Sequence, residues 1–409
     1  MARSKPLGVW YDGLHVAEIV PRRPWDLRCS YTAEALQRWP GLSPVLSCSL
    51  PLQTKRMDAS VFLSGLLPEG RHRQALSAEL KVAVNDVYSL LARFGRDVAG
   101  ALVIDTEPPG ERAPDVLAYT PDSLAEEVTQ LPGRPLAIHD DSELSIDGLQ
   151  DKMLLVRTSD GGWGRPIHGY PSTHILKVDD PLRPGLVAAE AECLRLAGLV
   201  GLTTVDAALE TIADRPCLIV SRFDRRTGSD GATERVHQED LCQALARDPD
   251  AAQGRGKYEK SGGPSLRETA NLLDRYATSP AEQLDRLLAL ATFTVLIGNA
   301  DAHGKNLALM HPTAEAVELA PLYDTVPTVL WPRLRTTAAM SVGGRWELSK
   351  IDVEDLVNEA ASWHVDRARA AHVVTETAEH VRVAAVSLGR GSAVSEHVLA
   401  RSEELLGSR

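Results

Sequence analysis

The sequence predicts an α+β protein of two lobes, a β-rich N-terminal part followed by a helical C-terminal lobe. Three observations carry this expectation. Stretches that read as strands are concentrated before residue 225, and helical periods dominate from about Val236 onward. A Pro- and charge-rich segment, "DTEPPGERAPDV" from Asp105 to Val116, reads as a surface connection between units. The chain's 409 residues are also too many for one small core.

In order, "LGVWYD", a DG turn and "LHVAEIV" read as a β-hairpin. Helical periods follow in "DASVFLSGLL" and "VNDVYSLLARFG", the latter closed by Gly95 as a C-cap. "KMLLVRTSDGGWGRPIH" reads as strand, Gly-rich turn and strand, "THILKVDD" as a strand, and "GLVAAEAECLRLAGLVGLTT" as a helix with a Gly stop. "PCLIVSRFDR" returns to strand, and "QEDLCQALA", "SLRETANLLDRYA", "AEQLDRLLALATFTVLIG" and "DRARAAHVVTETAEHVRVAAVSLG" read as helices. The expected organisation is 1–104, 117–225 and 226–409, with no internal repeat and no coiled-coil heptad.

A formal net charge of -12 argues against strong global attraction to nucleic acid or acidic lipid. The five cysteines (Cys29, Cys48, Cys193, Cys217, Cys242) are scattered and form no CxxC pair, which fits a reducing cytoplasm and argues against a zinc site. The N-terminus has no continuous apolar core of a secretory signal before Asp12. "LLALATFTVLIG" falls short of the roughly 20 residues that cross a bilayer, so a cytoplasmic protein with no membrane association is expected.

The chemistry lies in "IGNADAHGKNLAL", Ile297 to Leu309. Asp301 and Asn306 are five positions apart, the spacing of the catalytic Asp and the metal-binding Asn in the kinase pattern H-R-D-x-x-x-x-N. One loop then presents a base for the acceptor hydroxyl and an oxygen ligand for magnesium on the nucleotide phosphates. Lys305 between them can neutralise charge on the moving phosphoryl group, while Asn299 caps or braces the loop.

A second metal carboxylate is offered by Asp324 in "ELAPLYDTVPT", in the order expected of a kinase DFG Asp. Lys177, ending "HILKV", needs an anionic partner, either a nucleotide phosphate or a carboxylate such as Glu190 on the following helix. Taken singly, D-x-x-x-x-N is also an Asx-rich turn, Lys177 a snorkelling strand end and Glu190 part of a solvated face. The ordered set of Lys, Glu, Asp with Asn, then Asp, favours phosphoryl transfer. No G-x-x-x-x-G-K-[ST] and no usable G-x-G-x-x-G precedes Lys177.

Across nearly its whole length the chain resembles the HipA-type serine/threonine kinases of bacterial toxin–antitoxin modules. The resemblance rests on "SLPLQ", "FLSGLLPEGRHR", "GRDVAGAL", "LSIDGLQDKMLLV", "HILKV", "LIVSRFDRR", "VHQEDLCQAL", "KYEKSGGPSL", "IGNADAHGKN" and "LAPLYDTVP", in that order. It implies a two-lobed protein-kinase-like fold, with Asp301 as catalytic base, Lys177 on the ATP phosphates, and Asn306 and Asp324 on Mg2+. The family's "SIxGxQxK" stands in for a glycine loop, here Ser145, Ile146, Gly148, Gln150 and Lys152. Ser221 to Phe223 match the hinge that reads the adenine edge through backbone groups, with Ser221 where the family usually has Glu.

His303 matches the family's loop pattern, in a role that orients the loop. The resemblance also implies autophosphorylation at Ser145, which adds nearly two negative charges beside the nucleotide site and repels ATP. Glu239 and Asp240 in "HQEDLCQ" read equally as first-turn charges of a helix and take no catalytic role.

The functional expectation is an ATP- and Mg2+-dependent protein kinase that inhibits growth by phosphorylating a cellular protein, an aminoacyl-tRNA synthetase being the family's known kind of target. Its implied partner is a HipB-like helix-turn-helix antitoxin, through which operator DNA is contacted. Two alternatives stand beside it: a small-molecule or lipid kinase, and a co-repressor partner of a DNA-binding antitoxin.

Overall fold

A computed structural model describes residues 5–109, 114–132, 150–229, 231–389 and 391–407. Ser145, Ile146 and Gly148 of the expected phosphate loop therefore lie outside the described residues. The chain divides into two units: 1–180 with 208–239 and 310–315, and 181–207 with 240–309 and 316–409. The mixed α+β composition agrees with the sequence expectation.

The first unit opens with the expected hairpin, Leu7–Tyr11 against Leu14–Arg23. Its two turn residues, Asp12 and Gly13, both have positive φ (50° and 74°), the backbone of a type I′ turn whose twist suits paired strands. These strands belong to a five-stranded sheet with Asp26–Tyr31, Met57–Asp58 and Leu102–Asp105. Its apolar face closes over Phe62, Leu90, Leu91 and Phe94, contributed by the helices Ser60–Gly65 and Val87–Phe94.

Gly95 caps that helix as expected, with φ −81°. Space is what demands glycine there, because a Cβ would stand 2.4 Å from the Ile104 carbonyl oxygen.

A second, six-stranded sheet runs in the order Ala207–Ile212, Arg215–Ser221, His174–Val178, Lys152–Arg157, Trp163–Ile167, Asp115–Ala118. The helix Pro121–Gln130 covers one face, burying Leu124 and Val128 with Met153, Leu155, Leu176, Val178, Cys217 and Ile219. All five cysteines are buried free thiols.

The same unit buries a polar knot. The Glu239 carboxylate, fully enclosed, accepts from His311 Nε2 (3.1 Å), the Cys48 N–H (2.8 Å) and the Ser47 hydroxyl. Burial alone would raise its pKa, but these bonds outweigh that and hold it below the usual glutamate value. His237 lies 4.7 Å from His311, ring centre to ring centre, and its Nε2 meets the Leu46 carbonyl at 2.8 Å. Burial, then the neighbouring His311, push His237 down to about 3.

Below the unfolded histidine pKa near 6.5 the unfolded chain takes up a proton at His237 that the folded chain refuses, so stability falls with acidification from about 6.5 towards about 3. Between pH 7 and pH 5 this histidine should remove about 2 kcal/mol of stability. Urea unfolding followed at both pH values checks it, and equal midpoints would contradict it.

The second unit is mainly helical: Leu186–Leu199, Leu266–Tyr276, Pro280–Ile297, Val353–Ala361, Arg367–Leu388 and Ala393–Gly407. Ser265 starts one helix with a full capping box to Glu268, as the sequence "SLRE" invites. Pro280–Ile297 is its core, packed against Leu266–Tyr276, Arg367–Leu388 and Ala393–Gly407. It buries Leu287, Leu288, Phe293, Leu296 and Ile297, and Gly298 ends it with φ 72°. Among the described residues no helix is long and apolar enough to cross a membrane.

Candidate active site

The second unit carries the loop that the sequence singled out. Gly298 stops the buried helix, and the next residues turn back on themselves through their own polar groups. Asn299 Oδ1 accepts from the Asp301 N–H (3.0 Å), so Asn299 braces the loop. The Asp301 carbonyl accepts from the His303 N–H (2.8 Å) and from Asn306 Nδ2 (2.9 Å). The Asn306 side chain thus spends its nitrogen on the loop, and its oxygen is the atom that could hold a metal.

His303 is buried, and its Nδ1 accepts from the Lys305 N–H at 3.3 Å. Lys305 is buried too, with its ammonium on Asp240 Oδ2 at 2.9 Å. Asp240 is also the N-cap of the short helix Leu241–Ala244, with Gln243 completing a capping box. Asp240 is thus the N-cap of that helix and not a first-turn charge, Glu239 belongs to the buried knot, and "HQED" is strand, His237–Asp240.

The segment bearing Asp324 reaches the same loop. The adjacent Tyr323 hydroxyl donates to the Lys305 carbonyl (2.8 Å), one residue before Asn306. Further along, Thr328 Oγ1 accepts from the Ala300 N–H (2.8 Å), and the Val329 N–H donates to the Gly298 carbonyl (3.2 Å). The segment bearing Asp324 is thereby laced to both ends of the loop bearing Asp301 and Asn306. Asp324 has φ 48°, a left-handed backbone that aspartate tolerates better than most residues and that recurs at functional positions.

Asn306 and Asp324 are oxygen donors, the ligand type magnesium takes when nucleotide phosphates and water complete its shell. Among the described residues no cluster of three or more His, Cys, Asp or Glu could hold a metal alone. The donor set fits magnesium brought with a nucleotide and does not fit a closed structural zinc site.

The first unit holds Gln150, Lys152, Lys177, Ser221 and Phe223. Lys177 on His174–Val178 pairs directly with Lys152 on Lys152–Arg157, so both side chains stand on one face of the sheet, each 6% exposed. Like charges opposite one another on neighbouring strands repel unless anionic groups lie among them. Gln150 Nε2 donates to the Val178 carbonyl (3.1 Å) and ties the end of the expected phosphate loop to that strand.

Ser221 ends Arg215–Ser221, and alternation decides the rest of the expected hinge. Ser221 and Phe223 are partly exposed, while Arg222, Asp224 and Arg225 are buried. Arg222 makes a two-nitrogen contact with Asp224 (2.9 and 2.7 Å), and Arg225 reaches Asp97 (2.9 Å). Asp97 also accepts from the Ser172 hydroxyl (2.6 Å), and Asp224 from the Gly100 N–H (2.7 Å). Burial would raise the Asp97 pKa, but Arg225, Arg222 and Arg235 overcome it and hold the carboxyl below its usual range. Asp224 is lowered in the same way by Arg222 and Arg225 against its own burial.

Sequence reasoning missed two features. The hinge network involves "GRDVAGAL" and "SRFDR", both visible as motifs, but the pairing of Asp97 with residues some 125 positions away has no local periodic signal. Tyr258, in "KYEKSGGPSL", donates from its hydroxyl to Asp301 Oδ1 at 2.6 Å. A lone tyrosine 43 residues upstream carries nothing that marks it as a partner of the loop.

Comparison with known proteins places this geometry. A family model described as the HipA N-terminal domain matches residues 7–105, and one described as the HipA-like C-terminal domain matches residues 144–385. A protein named "Putative kinase Y4mE" from Sinorhizobium fredii is 36% identical over 390 residues, covering 92% of this chain and 90% of the relative. The "Serine/threonine-protein kinase toxin HipA" of Shewanella oneidensis is 27% identical over 307 residues, 71% of this chain and 68% of the toxin.

A solved complex of Shewanella oneidensis HipA with HipB and operator DNA contains a chain that superposes with a TM-score of 0.81 at 25% identity. The match covers 98% of this chain and 97% of that one. The fold is thus that of the HipA proteins, an α+β architecture of kinase-like type. The chain belongs to the HipA-type kinase family.

Proposed function

We propose that the chain is an ATP- and Mg2+-dependent serine/threonine protein kinase that acts as the toxin of a toxin–antitoxin pair. The observation that carries the reading is the lacing of the Asp324 segment to the Asp301–Asn306 loop through Tyr323 and Thr328, which gathers one base and two oxygen ligands in one unit. Asp301 takes the proton of the acceptor hydroxyl as that oxygen bonds the γ-phosphorus and the bond to the ADP oxygen breaks. Asn306 and Asp324 hold magnesium, which when bound neutralises phosphate charge. Lys177 and Lys152 bind phosphate oxygens, and the backbone of Ser221 to Phe223 reads the adenine edge.

The buried pairing of Lys305 with Asp240, and the contact of His303 with the loop backbone, support holding the loop as their part in nucleotide binding. Ser145 is proposed as the regulatory autophosphorylation site on the strength of its motif. The acceptor is a cellular protein, with aminoacyl-tRNA synthetases the first to test. The partner is a HipB-like antitoxin that supplies the DNA contact, in keeping with a net charge of -12 on this chain.

The test is labelled ATP with magnesium and cell lysate, using the wild type and Asp324→Asn. Label should enter protein with the wild type, vanish on chelation of magnesium, and fall at least tenfold in the variant. Label confined to the acid-soluble or lipid fraction would move the reading to a small-molecule or lipid kinase. Equal labelling by both proteins would remove Asp324 from the metal site.

A further inference from the structure

We propose that Tyr258 is the positioning residue of Asp301, fixing one carboxylate oxygen so that the other is aimed at the acceptor; this rests on the reading of Asp301 as base. A base must present one oxygen at one place, and an aspartate on a loop can rotate about two side-chain bonds. The backbone of Asp301 is held by Asn299, His303 and Asn306, but none of these bonds touches its carboxylate. The Tyr258 hydroxyl donates to Oδ1 at 2.6 Å, the short distance of a charge-assisted bond. Oδ2 is left for the substrate hydroxyl.

Tyr258 is in turn held by neighbours within the same unit. The preceding Lys257 carbonyl accepts from the Gly304 N–H at 3.0 Å, so the "KYEKSGG" strap is bonded along the catalytic loop. Gly304 permits that approach, since a Cβ there would stand 2.6 Å from Pro264 Cγ and 2.9 Å from Cys242 Sγ. The Tyr258 ring meets His303 edge-on, with centroids 5.1 Å apart at 85°, and Arg335 stacks over it at 4.0 Å.

The neighbouring residues anchor the strap away from the loop. Glu259 accepts from the Ser341 N–H (2.6 Å) and hydroxyl (3.0 Å), and Lys260 lies 4.3 Å over the Trp346 ring. The hydroxyl is therefore delivered by a braced ring, and His303 contributes a wall to that brace.

The experiment is a double-mutant cycle read by magnesium-dependent ADP release from ATP with water as acceptor, using the full chain. Tyr258→Phe keeps the ring, its edge contact and its stack, and removes only the donor. It should lower kcat by about 10- to 100-fold, the range of one hydrogen bond to a charged group, while KM for ATP and the unfolding midpoint stay at wild-type values. In an Asp301→Asn background the same change should cost less than about twofold, because the two residues act as one unit.

An unchanged kcat in Tyr258→Phe, or the same fold-loss in both backgrounds, would overturn the assignment. If Asp301→Asn alone keeps the wild-type rate, it is the base reading that fails, and the cycle separates that result from the others.

Discussion

Asparagine in place of Asp301 is expected to slow phosphoryl transfer by about 10²- to 10⁴-fold, the usual contribution of a positioned general base. The substitution is nearly isosteric. An asparagine oxygen can still accept from the Tyr258 hydroxyl, and the backbone bonds from Asn299, His303 and Asn306 do not depend on the carboxylate. The loop should therefore hold its shape, and KM for ATP should move little while kcat collapses. Initial rates of labelled-phosphate transfer, paired with an unfolding curve, measure both quantities. A variant within a few-fold of the wild type would mean that the acceptor proton leaves by another route.

Alanine at Asp97 should have the largest effect on stability. The residue is 1% exposed and faces Arg225 and Arg222, which are themselves buried. Removing one partner of a buried ionic network strands the others in a medium that solvates charge poorly, at a cost of about 3–5 kcal/mol. Arg225 would suffer most, since burial and its neighbour Arg222 already depress its pKa to about 10. Urea unfolding of the full chain reads the loss, and a change below about 1 kcal/mol would show the network to be relaxed by solvent.

The same arginines also brace the proposed hinge. Arg222 donates to the Val98 carbonyl (3.1 Å) and Arg225 to the Gly100 carbonyl (3.0 Å), so residues matched by the N-terminal family model hold the segment beside Ser221 and Phe223. Asp97→Ala should accordingly weaken nucleotide binding as well as stability.

Much of the fold was legible because its signals are local. The Asp12–Gly13 turn, the Ser265 capping box and the buried helix closed by Gly298 each follow from residues within a few positions of one another. Legibility failed where distant groups override local preference. "QEDLCQALA" has helical spacing, but only Leu241–Ala244 is helical, because His237 and Glu239 extend into a knot with Ser47 and His311. Gly95 caps its helix as expected, but the close Ile104 carbonyl that demands glycine there has no local signal.

By itself, the sequence determined the class of the chain, and it supplied the proposed order of its chemistry: Lys177, then Asp301 with Asn306, then Asp324. Which side chains serve those residues was decided by tertiary structure alone. Tyr258 on Asp301, Asp240 on Lys305, Tyr323 on the Lys305 carbonyl and Lys152 beside Lys177 are all pairings between segments remote in sequence. The physical reason is that periodicity and turn chemistry act over a handful of residues. A buried charge must find its partner wherever the folded chain brings one.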